Sequence, residues 1–190
     1  MLFRSDQLSP STAAVLAHKL GAVGAGTFDV NTACAGFVTA LDIASKYIAT
    51  DARYQRVLVV GAYAMSKWLN LEDYKIATLF ADGASAVVLR PAETGGVLAS
   101  QLWTDPQYHD HMGIYAGGSR LPIDHGVLDR KEHLLSFPKR IPPETNGIHW
   151  PRLARELLGR IGRRPDEVRH WFLTQFNLAS RSEEHTSELQ

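Results

Sequence analysis

Gly26-Thr27-Phe28-Asp29-Val30-Asn31-Thr32-Ala33-Cys34-Ala35-Gly36-Phe37 is the stretch whose reading decides the fold. Its first half alternates like a short strand and ends in small polar residues. Its second half opens a helix whose apolar positions continue through Val38, Leu41, Ile43, Ala44, Tyr47 and Ile48. Cys34, the only cysteine in the chain, therefore falls at or near a strand-to-helix corner. Unpaired N–H groups at a helix start favour a negative charge, so a thiolate placed there is stabilised. On position alone two readings of Cys34 stand: a nucleophile, or a small buried apolar residue.

Outward from this segment, helices alternate with apolar runs. Ser9-Pro10-Ser11 precedes Ala13-Ala14-Val15-Leu16-Ala17, with Gly21 beyond Leu20, the pattern of a capped helix with Pro in its first turn and Gly at its end. The spacing predicts a strand over Thr27–Val30 and the Cys34 helix to about Thr50. Arg56–Ala62 is Val-rich and continuously apolar, as in a strand buried on both faces. Leu79–Ser85 reads as a turn in which Asp82 bonds its own backbone, and Ala86–Arg90 as a strand leaving it. Further strands are expected at Val97–Trp103 and His170–Leu173. A helix with one apolar stripe (Leu153, Ala154, Leu157, Leu158, Ile161) starts between Asn146 and Pro151, because Pro is tolerated in a first turn. This alternation predicts an α/β layered fold.

Bulk properties narrow the function classes. Of 190 residues, 45% are hydrophobic and 21% charged, and the formal net charge is +0, so the totals favour neither a nucleic-acid nor a membrane partner. A lone cysteine makes no internal disulfide, no apolar run reaches membrane-spanning length, and the N-terminus lacks a signal-peptide layout, so the cytoplasm is the expected location. Residues 105–143 are irregular and rich in His, Gly and Pro, the signature of a functional loop or insertion. His109, Asp110 and His111, and Asp124 with His125, invite a metal reading, but their spacings match no closed ligand set and no metal is expected. Ala116-Gly117-Gly118-Ser119-Arg120 reads as a flexible turn rather than a phosphate loop, and Asp29 as structural. Gly-x-Ser-x-Gly is absent, against an α/β-hydrolase nucleophile.

The last ten residues, Arg181–Gln190, change abruptly to a polar string, and one back-translation of them reads as a widely used sequencing-library adapter. His185, Glu183 and Glu184 are set aside on that ground. The chain is expected to be a fragment.

Four blocks carry a family resemblance: Thr27–Phe37, Val57-Leu58-Val59-Val60-Gly61, Phe80-Ala81-Asp82-Gly83-Ala84-Ser85-Ala86, and Gln175-Phe176-Asn177-Leu178. In order and spacing they resemble β-ketoacyl-acyl-carrier-protein synthase III, of the thiolase superfamily. The resemblance implies a five-layer αβαβα fold of two similar halves, here incomplete, and a homodimer when whole. Residues 1–96 would end the N-terminal half with the nucleophile, 97–145 would be a connecting strand and irregular loop, 146–180 would start the C-terminal half, and 181–190 would be artefact. It also implies that Cys34 takes an acyl group from acyl-CoA and condenses it with a malonyl-acyl carrier protein, with no cofactor. The alternatives are an acyltransferase that does not decarboxylate, and a non-catalytic partner subunit. The family's catalytic His precedes the Gln-x-Asn-Leu segment, where this chain has Thr174. His170 lies four residues earlier, about 13 Å along an extended strand. Where some members stack an Arg on the CoA adenine, this chain has Tyr74, with Lys75 beside it for a phosphate; an exposed turn is the competing reading.

Overall fold

The computed structural model describes residues 9–174, so the Gln175–Leu178 block and the Arg181–Gln190 string lie outside the described residues. The chain divides into two compact units. One runs to Leu69 and takes up again over Phe80–Val97; the other combines Asn70–Leu79 with the residues from Leu98 onward.

The first unit is built on helix α2 (Gly36–Thr50) against a two-stranded antiparallel sheet, β1 (Val57–Tyr63) with β2 (Gly83–Leu89). Register is set by Val57 opposite Leu89 and Val60 opposite Ala86. Ala40, Ala44 and Val59 form the buried centre, with Phe37, Leu41, Val57 and Leu89 packed around it. Positions 37, 40, 41 and 44 recur at helical spacing and make one stripe. The stripe differs from the expected one: Val38 is 62% exposed, and Tyr47 also faces outward. Small side chains at 40 and 44 let the helix lie close to the sheet, which the larger Val38 would prevent. Gly61 of β1 belongs to the same fit, since a Cβ there would stand 3.2 Å from the Phe37 ring.

Helix α1 (Thr12–Lys19) is capped at both ends. Ser11 Oγ accepts from the Ala14 N–H at 3.2 Å. At the other end Gly21 has φ 65°, its N–H donating to His18 O and that of Ala22 to Ala17 O, which satisfies two terminal carbonyls. Pro10 precedes the Ser11 cap rather than occupying the first turn.

Several sequence expectations are corrected. Thr27–Val30, Val97–Trp103 and His170–Leu173 join no ladder among the described residues. An apolar pattern makes a segment extended, but only a partner makes it a strand. β1 is half-buried rather than buried on both faces, and β2 begins at Gly83, three residues before the expected start. In the second unit, helix α5 (Glu144–Arg160) holds Pro151 in its interior, although its Leu153, Ala154, Leu157, Leu158 stripe is half-buried as read. Short helix α4 (His125–Asp129) interrupts the 105–143 stretch expected to be irregular, and short helix α3 (Tyr74–Ala77) holds Tyr74 and Lys75. Among the described residues no helix is long and apolar enough to cross a membrane.

Candidate active site

The extended segment leading to Cys34 is pinned from both sides. The Asp29 carboxylate accepts from the N–H groups of Thr12 and Ala13 at 2.8 and 2.9 Å, occupying the positive end of α1. Phe28 meets Tyr47 of α2 edge-on at 6.3 Å, and Tyr47 packs on Tyr54 at 4.9 Å. Asp29 is thus structural, as read from the sequence.

Cys34 is exposed and stands in a single 3-10 turn, Ala33–Ala35, that runs directly into α2. The corner is therefore a helix start entered from unpaired extended chain. Ala33, beside the cysteine, has φ 45°. A non-glycine residue in this left-handed region costs about 1–2 kcal/mol and persists only where its surroundings impose it. Two threonines supply part of that constraint. Thr32 Oγ1 donates to Thr39 Oγ1 at 2.9 Å, and Thr39 Oγ1 donates to the Ala35 carbonyl at 2.9 Å. Sequence reading passed over this pair, though two threonines seven residues apart at a helix start are a detectable signal.

At the far end of the β1–β2 sheet, Asp82 takes a different role from the expected one. Its carboxylate accepts from Ser66 N–H at 2.8 Å and Ser66 Oγ at 2.5 Å, closing the residues after β1 onto the residue before β2. Hydrogen bonds from the Ser66 side chain, then from its backbone, hold the Asp82 carboxyl below its ordinary pKa.

The other singled-out residues belong to the second unit. Tyr74 and Lys75 open α3, whose Asp73 cap accepts from the Lys75 N–H at 3.1 Å; Tyr74 is 70% exposed. Thr174 is exposed at the end of the described residues, and the His170 ring lies 6.4 Å from that of Phe172. Asp110 pairs with Lys139 and with His111 Nδ1 at 3.0 Å, and Asp124 caps α4 by accepting from the Val127 N–H at 2.7 Å. Among the described residues no group of three or more His, Cys, Asp or Glu could hold a metal ion. The 116–120 segment is a tight turn, with Gly117 N–H donating to Leu121 O at 2.8 Å.

Comparison with known proteins places this arrangement. The model of 3-oxoacyl-[acyl-carrier-protein] synthase III matches residues 28–106, a span that holds Cys34, α2 and both strands. A β-ketoacyl-[acyl-carrier-protein] synthase III of Clostridioides difficile is 39% identical over 132 residues, covering 70% of this chain and 40% of that protein. A 3-oxopimeloyl-[acyl-carrier-protein] synthase of Rhodothermus marinus is 40% identical over 176 residues, covering 90% and 50%. A crystal structure of a 3-oxoacyl-(acyl-carrier-protein) synthase III superposes with TM-score 0.84 at 27% identity, over 99% of this chain and 60% of that one. The chain spans about half the length of the curated relatives it matches. Its α2 and β1–β2 layers are an incomplete thiolase-like α/β fold, and over this span the chain is similar to the 3-oxoacyl-acyl-carrier-protein synthase III family.

Proposed function

We propose that the whole protein is an acyltransferase that carries acyl groups on Cys34. The observation that carries this reading is an exposed thiol on the turn that starts α2, inside the segment matched by the family model. The Sγ thiolate attacks the thioester carbonyl of an acyl-CoA, and the tetrahedral oxyanion forms beside the N–H groups of the helix start. The C–S bond to CoA then breaks, CoA leaves as a thiolate that takes up a proton, and the acyl group stays on Cys34. A malonyl-acyl carrier protein loses carbon dioxide. The carbanion electron pair left behind attacks the acyl carbonyl, and Cys34 departs as a thiolate. The acyl-CoA brings its own activated carbonyl, so the chemistry calls for no bound cofactor. Tyr74 and Lys75 suit the adenine and a phosphate of CoA: Tyr74 offers an exposed ring, and Lys75 opens the same short helix. A homodimer is the assembly proposed for the whole protein, residues 1–96 the end of its N-terminal half and 146–180 the start of its C-terminal half.

Thr174 favours a second reading. Threonine donates one hydrogen bond but carries no positive charge near neutral pH. Loading of Cys34 depends on the thiol and the helix start, whereas the carbanion step in the family leans on a His at this position. Transfer of the acyl group to a hydroxyl, amine or carrier thiol without decarboxylation is the alternative. The two separate in one experiment on the complete gene product. It is loaded with acyl-CoA, malonyl-acyl carrier protein is added, and carbon dioxide is measured. Release matched by a 3-oxoacyl product supports condensation. An adduct that forms without release supports simple transfer.

A further inference from the structure

We propose that Thr39 and Thr32 are positioning residues that hold the Cys34 turn in its reactive geometry, an inference that rests on Cys34 as the acyl carrier. Thr39 is only 3% exposed, on the face of α2 that includes Gly36 and Ala40. Its hydroxyl accepts from Thr32 and donates to Ala35, so one buried oxygen joins the residue two before Cys34 to the residue after it. Both hydrogen-bonding capacities of that buried group are used, as burial requires.

The turn needs such a clasp. Its backbone closes through Ala35 N–H to Thr32 O at 3.1 Å, with a long contact of 3.4 Å from Ala33 N–H to Asn31 Oδ1. Three residues of 3-10 helix are weakly held by themselves, and Ala33 at φ 45° strains them further. Thr39 ties this turn to the part of α2 that is fixed against β1. Without the tie, relaxation of Ala33 would rotate Cys34 away from the helix start, and small displacements of a reacting group carry large rate penalties.

The test follows acylation of the complete gene product by time-resolved mass measurement, with a panel of straight-chain acyl-CoA thioesters. For Thr39→Val, which keeps the shape and removes both bonds, the expected rate at saturating thioester falls about tenfold, while the half-saturating concentration stays within about twofold. Thr39→Ser restores the hydroxyl and should restore the rate. Thr32→Val removes one bond at an exposed position and should slow acylation several-fold with no loss of melting temperature. Wild-type rates in both valine variants, or a Thr39→Ser variant as slow as Thr39→Val, would overturn the proposal. A wild-type protein that takes no acyl group at Cys34 would instead remove the reading beneath it, so the two failures are distinguishable. If Thr39→Val does not fold, Thr32→Val alone decides.

Discussion

At the scale of single residues, Cys34 and Thr174 pull in different directions. An exposed thiol at a helix start suits acyl loading, while the threonine proposed here to stand in the family's His slot would lack a group that could carry charge through the carbanion step. Restoring that group should separate the two steps. For Thr174→His, carbon dioxide release from malonyl-acyl carrier protein should rise about a hundredfold, the lower end of what a positioned acid or base contributes. Formation of the Cys34 adduct should be unchanged. Equal release by wild type and variant would mean that Thr174 is no handicap. The placing of Cys34 at a helix start was readable from sequence because the cysteine, its small neighbours and the helix they open are contiguous. The Asp82–Ser66 bond was not, because sixteen residues separate partners that meet only after β1 and β2 pair.

That bond also gives a pH prediction. The Asp82 carboxyl is held below its ordinary pKa by Ser66, so its ionised form is favoured in the folded state. The stabilisation is therefore present above the ordinary carboxylate pKa, about 4, and is lost as pH falls through the lower folded value. In Ser66→Ala the Asp82 titration followed by NMR should move up toward the ordinary value. No movement would mean that the Ser66 hydroxyl is not the cause.

At the scale of elements, the close fit of Phe37 and Gly61 couples the Cys34 turn to the sheet. A side chain at 61 enters space held by the ring three residues after Cys34. Gly61→Val is expected to destabilise the fold by about 1–3 kcal/mol through overpacking, measured by denaturant unfolding, and to slow Cys34 acylation as well. Unchanged stability would show that the ring moves aside freely. Helix α1 was legible from its Ser11 cap and Gly21 stop, and α2 and α5 from apolar spacing, because such signals are local. Three of the five expected strands were not realised: 27–30, 97–103 and 170–173 have the composition of strands but no ladder partner among the described residues. Pro151 misled for a related reason. It forfeits one helix bond, yet α5 continues through it, and the half-buried stripe of Leu153, Ala154, Leu157 and Leu158 follows that position. The buried face of α2 followed side-chain size rather than hydrophobicity, with alanines at the contact and Val38 left outside.

At the scale of the whole molecule, the described chain leaves Phe28, Val38, Val87, Val88, Leu98 and Phe172 exposed. A chain that spans about half of its relatives' length is where apolar surface of this kind is expected to await further layers. The central claim is tested on the complete gene product: incubation with acyl-CoA thioesters, followed by intact-protein mass measurement and peptide mapping. A mass increase of one acyl group located at Cys34, and absent from Cys34→Ala, is the predicted result. No adduct with any thioester, or an adduct that persists in Cys34→Ala, would contradict it.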